Sequence, residues 1–155
     1  MEKIASFTVD HDVLVPGLYL SRRDGRVVTF DLRFKKPNTG DLLSNSQMHS
    51  VEHIIATLLR SSPEKDAVLY FGPMGCQTGF YFLFDGERLS DGQAVELVKR
   101  VFAQGAVFDG PMPGGSAREC GNYRNLSVEE ARACCGFFSG VIGDWTEGKL
   151  VYPQK

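Results

Sequence analysis

The sequence predicts an α+β fold, a mainly antiparallel sheet packed against helices within one domain. Three observations predict it. Strand-like runs occupy residues 26–35, 66–71 and 78–84. Ser44, Ser90 and Ser127 each stand three residues before a Gln or Glu, the spacing of a capped helix start. The two kinds of segment follow no regular β-α-β alternation. A length of 155 residues suits one compact unit, and no repeat, charge block or Ser/Gly-rich linker divides it, so the domain is expected to span 1–155.

Arg26–Lys35 alternates, with Val28, Phe30, Leu32 and Phe34 on one face and Val27, Thr29, Asp31 and Arg33 on the other, as in a half-buried strand. Arg33 thus points away from the apolar face. A turn cluster, Lys36 to Gly40, follows, and Ser44 with Gln47 opens a helix that Pro63 closes, with Met48, Val51, Ile55 and Leu58 as its core face. Asp66–Phe71 and Thr78–Phe84 are aromatic and β-branched runs joined by the turn-rich Gly72-Pro-Met-Gly-Cys76, a pair of strands with Cys76 at a strand end. Ser90 with Gln93 opens a second amphipathic helix, carrying Val95, Leu97, Val98, Val101 and Phe102 and ending at Gly105. The stretch from Phe108 to Asn125 is rich in Pro and Gly, an irregular segment of a length that usually serves function. Ser127 with Glu130 opens a third helix, to about Phe138.

Composition excludes several classes. Hydrophobic residues at 43% and charged residues at 23% are globular proportions, so a packed core is expected. With 17 basic against 19 acidic residues the chain lacks the positive field that phosphate backbones require, and nucleic acid is not an expected partner. No apolar run approaches about 20 residues, so no membrane span is expected. Four cysteines in a domain of this size, with no charged and apolar leader at Met1–Leu20, predict a reducing, cytoplasmic setting.

The chemistry gathers at His49-Ser-Val-Glu-His53, an H-x-x-E-H motif. On a helix turning about 100° per residue, His49 and His53 lie about 40° apart and Glu52 about 60° to the other side of His49, so the three can converge. Two imidazoles one turn apart grip a transition metal, and a neighbouring carboxylate moves protons without being a ligand. The plainer alternative is a solvated helix face. The stripe continues through Ala56 to Arg60, a shallow groove with a cation at its far end. A catalytic site needs a third ligand, for which His11 and the glycine-flanked Cys120 are the candidates. Cys134 and Cys135, beside Phe137 and Phe138 on a helix, read as packing residues. Cys76, after Gly75 and before Gln77-Thr78-Gly79, is either filler or a nucleophile or general base whose acidity a nearby cation would raise.

Five pieces together resemble the S-ribosylhomocysteine lyase family, whose members make the autoinducer-2 precursor: Ser6-Phe-Thr-Val-Asp-His11, Phe30-Asp-Leu-Arg-Phe34 with Pro37-Asn38, His49-Ser-Val-Glu-His53, Gly72-Pro-Met-Gly-Cys-Gln-Thr-Gly-Phe-Tyr81 and Glu119-Cys-Gly-Asn-Tyr123. They occur in family order over residues 6 to 123. The resemblance implies a homodimeric metalloenzyme with the metal on His49, His53 and Cys120, natively ferrous iron and replaceable by zinc or cobalt. It implies cleavage of S-ribosylhomocysteine to homocysteine and 4,5-dihydroxy-2,3-pentanedione. Such chemistry needs a Lewis acid, bases that carry protons between carbons, and a final β-elimination. By the same resemblance Cys76 is the acid/base of the isomerisation and Glu52 serves the later proton transfers and elimination. Ser6, His11, Arg33 and Arg60 would hold ribose hydroxyls and the homocysteine end, with the Ser6 and His11 segment of a second copy closing the pocket. Tyr70 departs from the pattern, standing where many members carry an acidic residue. The H-x-x-E-H helix also marks inverted zincins, so a similar fold is expected, and a metallopeptidase in which Glu52 activates water is the rival reading. A non-catalytic, metal-stabilised binding module is a third, and would need a closed four-ligand site.

Overall fold

In a computed structural model describing residues 1–155, four strands, β1 (Gly17–Asp24), β2 (Val27–Arg33), β3 (Val68–Pro73) and β4 (Gly79–Asp85), form one open antiparallel sheet in the order β1-β2-β4-β3. Three helices, α1 (Asn45–Arg60), α2 (Asp91–Ala106) and α3 (Val128–Val141), complete the α+β domain. The helices meet the sheet through aromatic rings. Phe34, just beyond β2, stacks on Phe138 of α3 with centroids 4.3 Å apart, and Phe71 of β3 lies 6.3 Å from Phe102 of α2. Phe30, Phe80, Phe82, Phe84 and Phe102 are all fully buried in the same core, and such rings dominate core energetics through the area they remove from water.

The serine starts hold. Ser44 and Gln47 form a reciprocal box on α1, as do Ser90 and Gln93 on α2. At α3 only half the box forms: Ser127 Oγ accepts from the Glu130 amide, while the Glu130 carboxylate accepts from the Ser46 hydroxyl of α1. Gly105 does not end α2, which continues to Ala106. A Cβ at 105 would lie 2.7 Å from Cys135 Sγ, so this glycine lets α2 and α3 approach. α3 runs to Val141, past the expected Phe138. On α1 the core face is Met48, Val51, Ile54, Ile55 and Leu59, and Leu58 is only half-buried.

One strand has no counterpart in the sequence reading, and another differs from it. β1 carries no clean alternation, and its outer half is exposed. It exists because β2 pairs with it on one side and the C-terminal segment ties it on the other. Leu20 N donates to Leu150 O, and Trp145 Nε1 donates to Leu18 O at 2.7 Å. β2 is not half-buried but buried on both faces, because it is central and its second face is covered: Thr29, Asp31 and Arg33 are 7%, 1% and 3% exposed. Tyr19 of β1 stacks on Tyr152 at 5.0 Å, and the Tyr152 hydroxyl reaches Asp31 across that face.

Candidate metal centre and thiol site

On α1 the polar stripe opposite the core places His49, Glu52, His53, Ala56 and Arg60 in register. The ligand atoms of His49, His53 and Cys120 all lie within 4.8 Å of one another, and Cys120 Sγ is 3.4 Å from His49 Nε2. Both imidazoles are oriented from behind. His53 Nδ1 donates to Pro113 O at 2.7 Å, and His49 Nδ1 donates to Asn125 Oδ1, whose own amide nitrogen donates to Asn45 Oδ1 at 2.6 Å. Because carbonyl oxygens only accept, the hydrogens sit on Nδ1 and both Nε2 lone pairs are free to bind a cation. Cys120 reaches them from the irregular segment 108–125, which Phe108 and Met112 anchor against the core. The Asn122 amide donates to its sulfur at 3.4 Å, which fixes the side chain's direction. Gly114 has φ +64, and a Cβ there would stand 3.2 Å from His53, so glycine is what this approach to the ring admits.

This donor set fits a divalent transition metal: two neutral imidazoles and a thiolate, with second-layer acceptors in place. Glu52 falls outside the three-ligand group. It lines the adjoining cavity of about 380 Å³ with His53, Ala56, Arg60, Tyr70, Pro113 and others, so the groove read from the stripe exists and ends at a cation. Arg60 is held there by the Val68 and Leu69 carbonyls, at 3.4 and 3.0 Å.

Cys76 belongs to a different cavity, of about 420 Å³, shared with His11, Asn38, Leu42 and Thr78. Its turn is tightly tied. Met74 N donates to Gly79 O, Gln77 N to Met74 O and Leu43 N to Gln77 O, with Gln77 in the left-handed region at φ 65. Gly79 pairs with Arg33, and a Cβ on it would stand 2.2 Å from Leu32 O, so no other residue fits this strand crossing. The result leaves the Cys76 sulfur exposed, 3.0 Å from Thr78 Oγ1 and 3.9 Å from Arg33 Nη1. Burial works against the Arg33 charge, but the Asp31 carboxylate outweighs it and holds the guanidinium above its ordinary value.

His11 therefore stands beside Cys76 of its own chain rather than with the metal set. Its Nδ1 donates to Val9 O at 2.9 Å. Ser6 lines a third cavity, with Arg22, Thr29, Tyr70 and Tyr81. Cys134 and Cys135 are buried, and burial pushes the Cys135 thiol up to about 12. Asn125, Asn45, Pro113 and Gly114 had no sequence signal beyond lying in or near the irregular segment or at a helix start.

The family model described as S-Ribosylhomocysteinase (LuxS) matches residues 4–144. The chain is 46% identical to the S-ribosylhomocysteine lyase of Desulfotalea psychrophila over 160 residues, covering 99% of this chain and 100% of that protein. It is 42% identical to the lyase of the same name from Clostridium beijerinckii, with the same coverage. Neither match supports a peptidase. A histidine pair, a loop cysteine and a cysteine in the β3–β4 turn sit in one fold, and the match to these proteins runs along the whole chain: it belongs to the S-ribosylhomocysteinase (LuxS) family.

Proposed function

We propose that the chain is a metal-dependent carbon–sulfur lyase that cleaves the thioether of S-ribosylhomocysteine to homocysteine and 4,5-dihydroxy-2,3-pentanedione. The observation that carries this reading is the convergence of His49, His53 and Cys120 within 4.8 Å beside the Glu52 groove, in a chain matched end to end by proteins of that name. A divalent ion on these three residues, ferrous iron in our reading and replaceable by zinc or cobalt, supplies Lewis acidity toward the sugar carbonyl.

The protein's own groups move the protons. Cys76 takes the C2 proton and returns it at C1, then takes the C3 proton and returns it at C2, which carries the carbonyl to C3. Glu52 takes the C4 proton, the C5–S bond breaks with loss of the homocysteine thiolate, and the enol left across C4 and C5 ketonises by taking a proton at C5, which gives the dione. Arg60, at the far end of the Glu52 groove, suits the homocysteine carboxylate, with Tyr70 forming the wall beside it. His11 and Ser6 offer hydrogen bonds to ribose hydroxyls. Because Cys76 and Glu52 line separate cavities, we assign the complete site to a homodimer in which Cys76, Arg33 and His11 of one copy face the metal set of the other. The kinship with inverted zincins rests on the helix-borne H-x-x-E-H alone, and the working domain is taken as 1–155.

Metal-loaded protein given S-ribosylhomocysteine should release a free thiol detectable with a disulfide reagent. No release would overturn the assignment.

A further inference from the structure

Cys76 stands at the exposed end of a hydrogen-bonded line that starts in the C-terminal tail. Tyr152 Oη donates to Asp31 Oδ2 at 2.7 Å. Asp31 accepts from Arg33 Nε at 3.1 Å and from Nη2 at 2.6 Å. This takes two nitrogens of the fork and leaves Nη1, which donates to Thr78 Oγ1 at 2.8 Å. That hydroxyl lies 3.0 Å from Cys76 Sγ. Arginine has donors only and an ionised carboxylate accepts only, so the direction of every bond is fixed up to Thr78. Its oxygen accepts from Arg33, which leaves its single hydrogen free to turn to the sulfur when that is ionised and can only accept. Thr78 is 3% exposed, and its carbonyl accepts from the amides of Phe34 and Lys35, so its backbone cannot drift.

We propose that Thr78 is a positioning residue that holds the Cys76 sulfur as thiolate, relaying the Arg33 charge through its hydroxyl while Asp31 and Tyr152 fix Arg33 from behind. This rests on the reading that Cys76 transfers protons, since only a thiolate can take one from carbon. Arg33 Nη1 reaches the sulfur only at 3.9 Å, whereas the Thr78 oxygen is in full hydrogen-bonding contact. Hydrogen bonds to an ionised acceptor are the stronger kind, so the donor that touches the sulfur carries more of the effect. Removing the Tyr152 hydroxyl leaves Asp31 one donor short. The carboxylate then draws more of the guanidinium field away from Thr78.

The other titratable groups placed with the sulfur are Tyr81 of β4, which feels its charge, and His11 across the cavity. Burial, then the Asp31 charge, push Tyr81 up, so it stays neutral. Both are common to every variant below.

The test is the pH profile of iodoacetamide alkylation at Cys76, read by mass spectrometry on the metal-loaded full chain from about pH 5 to about pH 10. Thr78→Val keeps the shape and loses the hydroxyl. Its midpoint should rise by about one pH unit, with alkylation near pH 7 slowed about tenfold. Thr78→Ser should restore the profile, and Tyr152→Phe should raise the midpoint by a smaller step. A Thr78→Val midpoint equal to that of the unchanged protein overturns the proposal, as does a Thr78→Ser midpoint that rises as far as the valine one. Should the valine protein not fold, Tyr152→Phe decides, because it removes one oxygen remote from the sulfur, and a midpoint that stays put overturns the relay. Thiol release from S-ribosylhomocysteine by the unchanged protein and by Cys76→Ala is measured alongside. Failure of the lyase reading appears there and leaves the alkylation profile interpretable by itself.

Discussion

The side-chain oxygen of Asn125 accepts from His49 Nδ1 and its nitrogen donates to Asn45, so the carboxamide cannot turn round without losing both bonds. Asn125→Ala removes the group that fixes the His49 tautomer, and metal affinity should fall by about 10- to 100-fold in chelator competition, with the circular dichroism spectrum unchanged. Unchanged affinity would mean the ring is held by α1 alone. At this scale the sequence is uneven in what it discloses. His49, Glu52 and His53 are legible because helical spacing fixes their relative directions. Cys120 is legible only as one of two candidates, since a loop has no period that says where it returns. Asn125, Pro113 and Thr78 are not legible, because each gains its meaning from a partner brought up by the tertiary fold. Arg33 is half legible. Alternation puts it off the core face, but no local pattern tells that Asp31 and Tyr152 bury it there.

Helix starts were the clearest elements in the chain, because a serine and a residue three later satisfy amides within their own segment. Helix ends were less so. Gly105 has the composition of a stop, yet it is a contact glycine under Cys135. β1 is held by Leu150, Trp145 and β2 rather than by any pattern of its own. The β2–β4 pair is pinned at its far end by Arg26, which donates through Nε and Nη2 to Asp85 at 3.0 and 2.6 Å. Those bonds hold the Asp85 carboxyl below the usual carboxylate range. A depressed folded value means that the stabilisation is present above the unfolded value of about 3.9 and is lost as pH falls through the folded one. Arg26→Gln should therefore lower the urea midpoint at neutral pH, and the gap to the unchanged protein should close as Asp85 is protonated. A gap of equal size at both ends of that range would exclude Asp85 as its source.

Taken as a whole molecule, the chain presents its metal set and its thiol in separate cavities, and a dimer that joins them across the interface makes a testable demand. Glu52→Gln and Cys76→Ala, each inactive alone, should recover about a quarter of full turnover when unfolded together and refolded, since half of randomly paired dimers are mixed and each holds one intact site. No recovery would place both groups in the same copy's site. The fold class was legible at this scale because strands and helices carry different periods, whereas the burial of the second sheet face was not, since a tail with no periodicity covers it.

That tail has an optical consequence. Trp145 is the chain's sole tryptophan. Its indole donates to Leu18 O, its ring presses on Gly17 and meets Tyr19 edge-on at 5.9 Å, and Lys149 lies 5.0 Å over its face. Intrinsic fluorescence excited at the indole band thus samples one place, the seam where the tail meets the first strand. Undocking of the tail, with Tyr152 carried away from Asp31, would register as a change of emission while the far-ultraviolet signal of the three helices stayed in place.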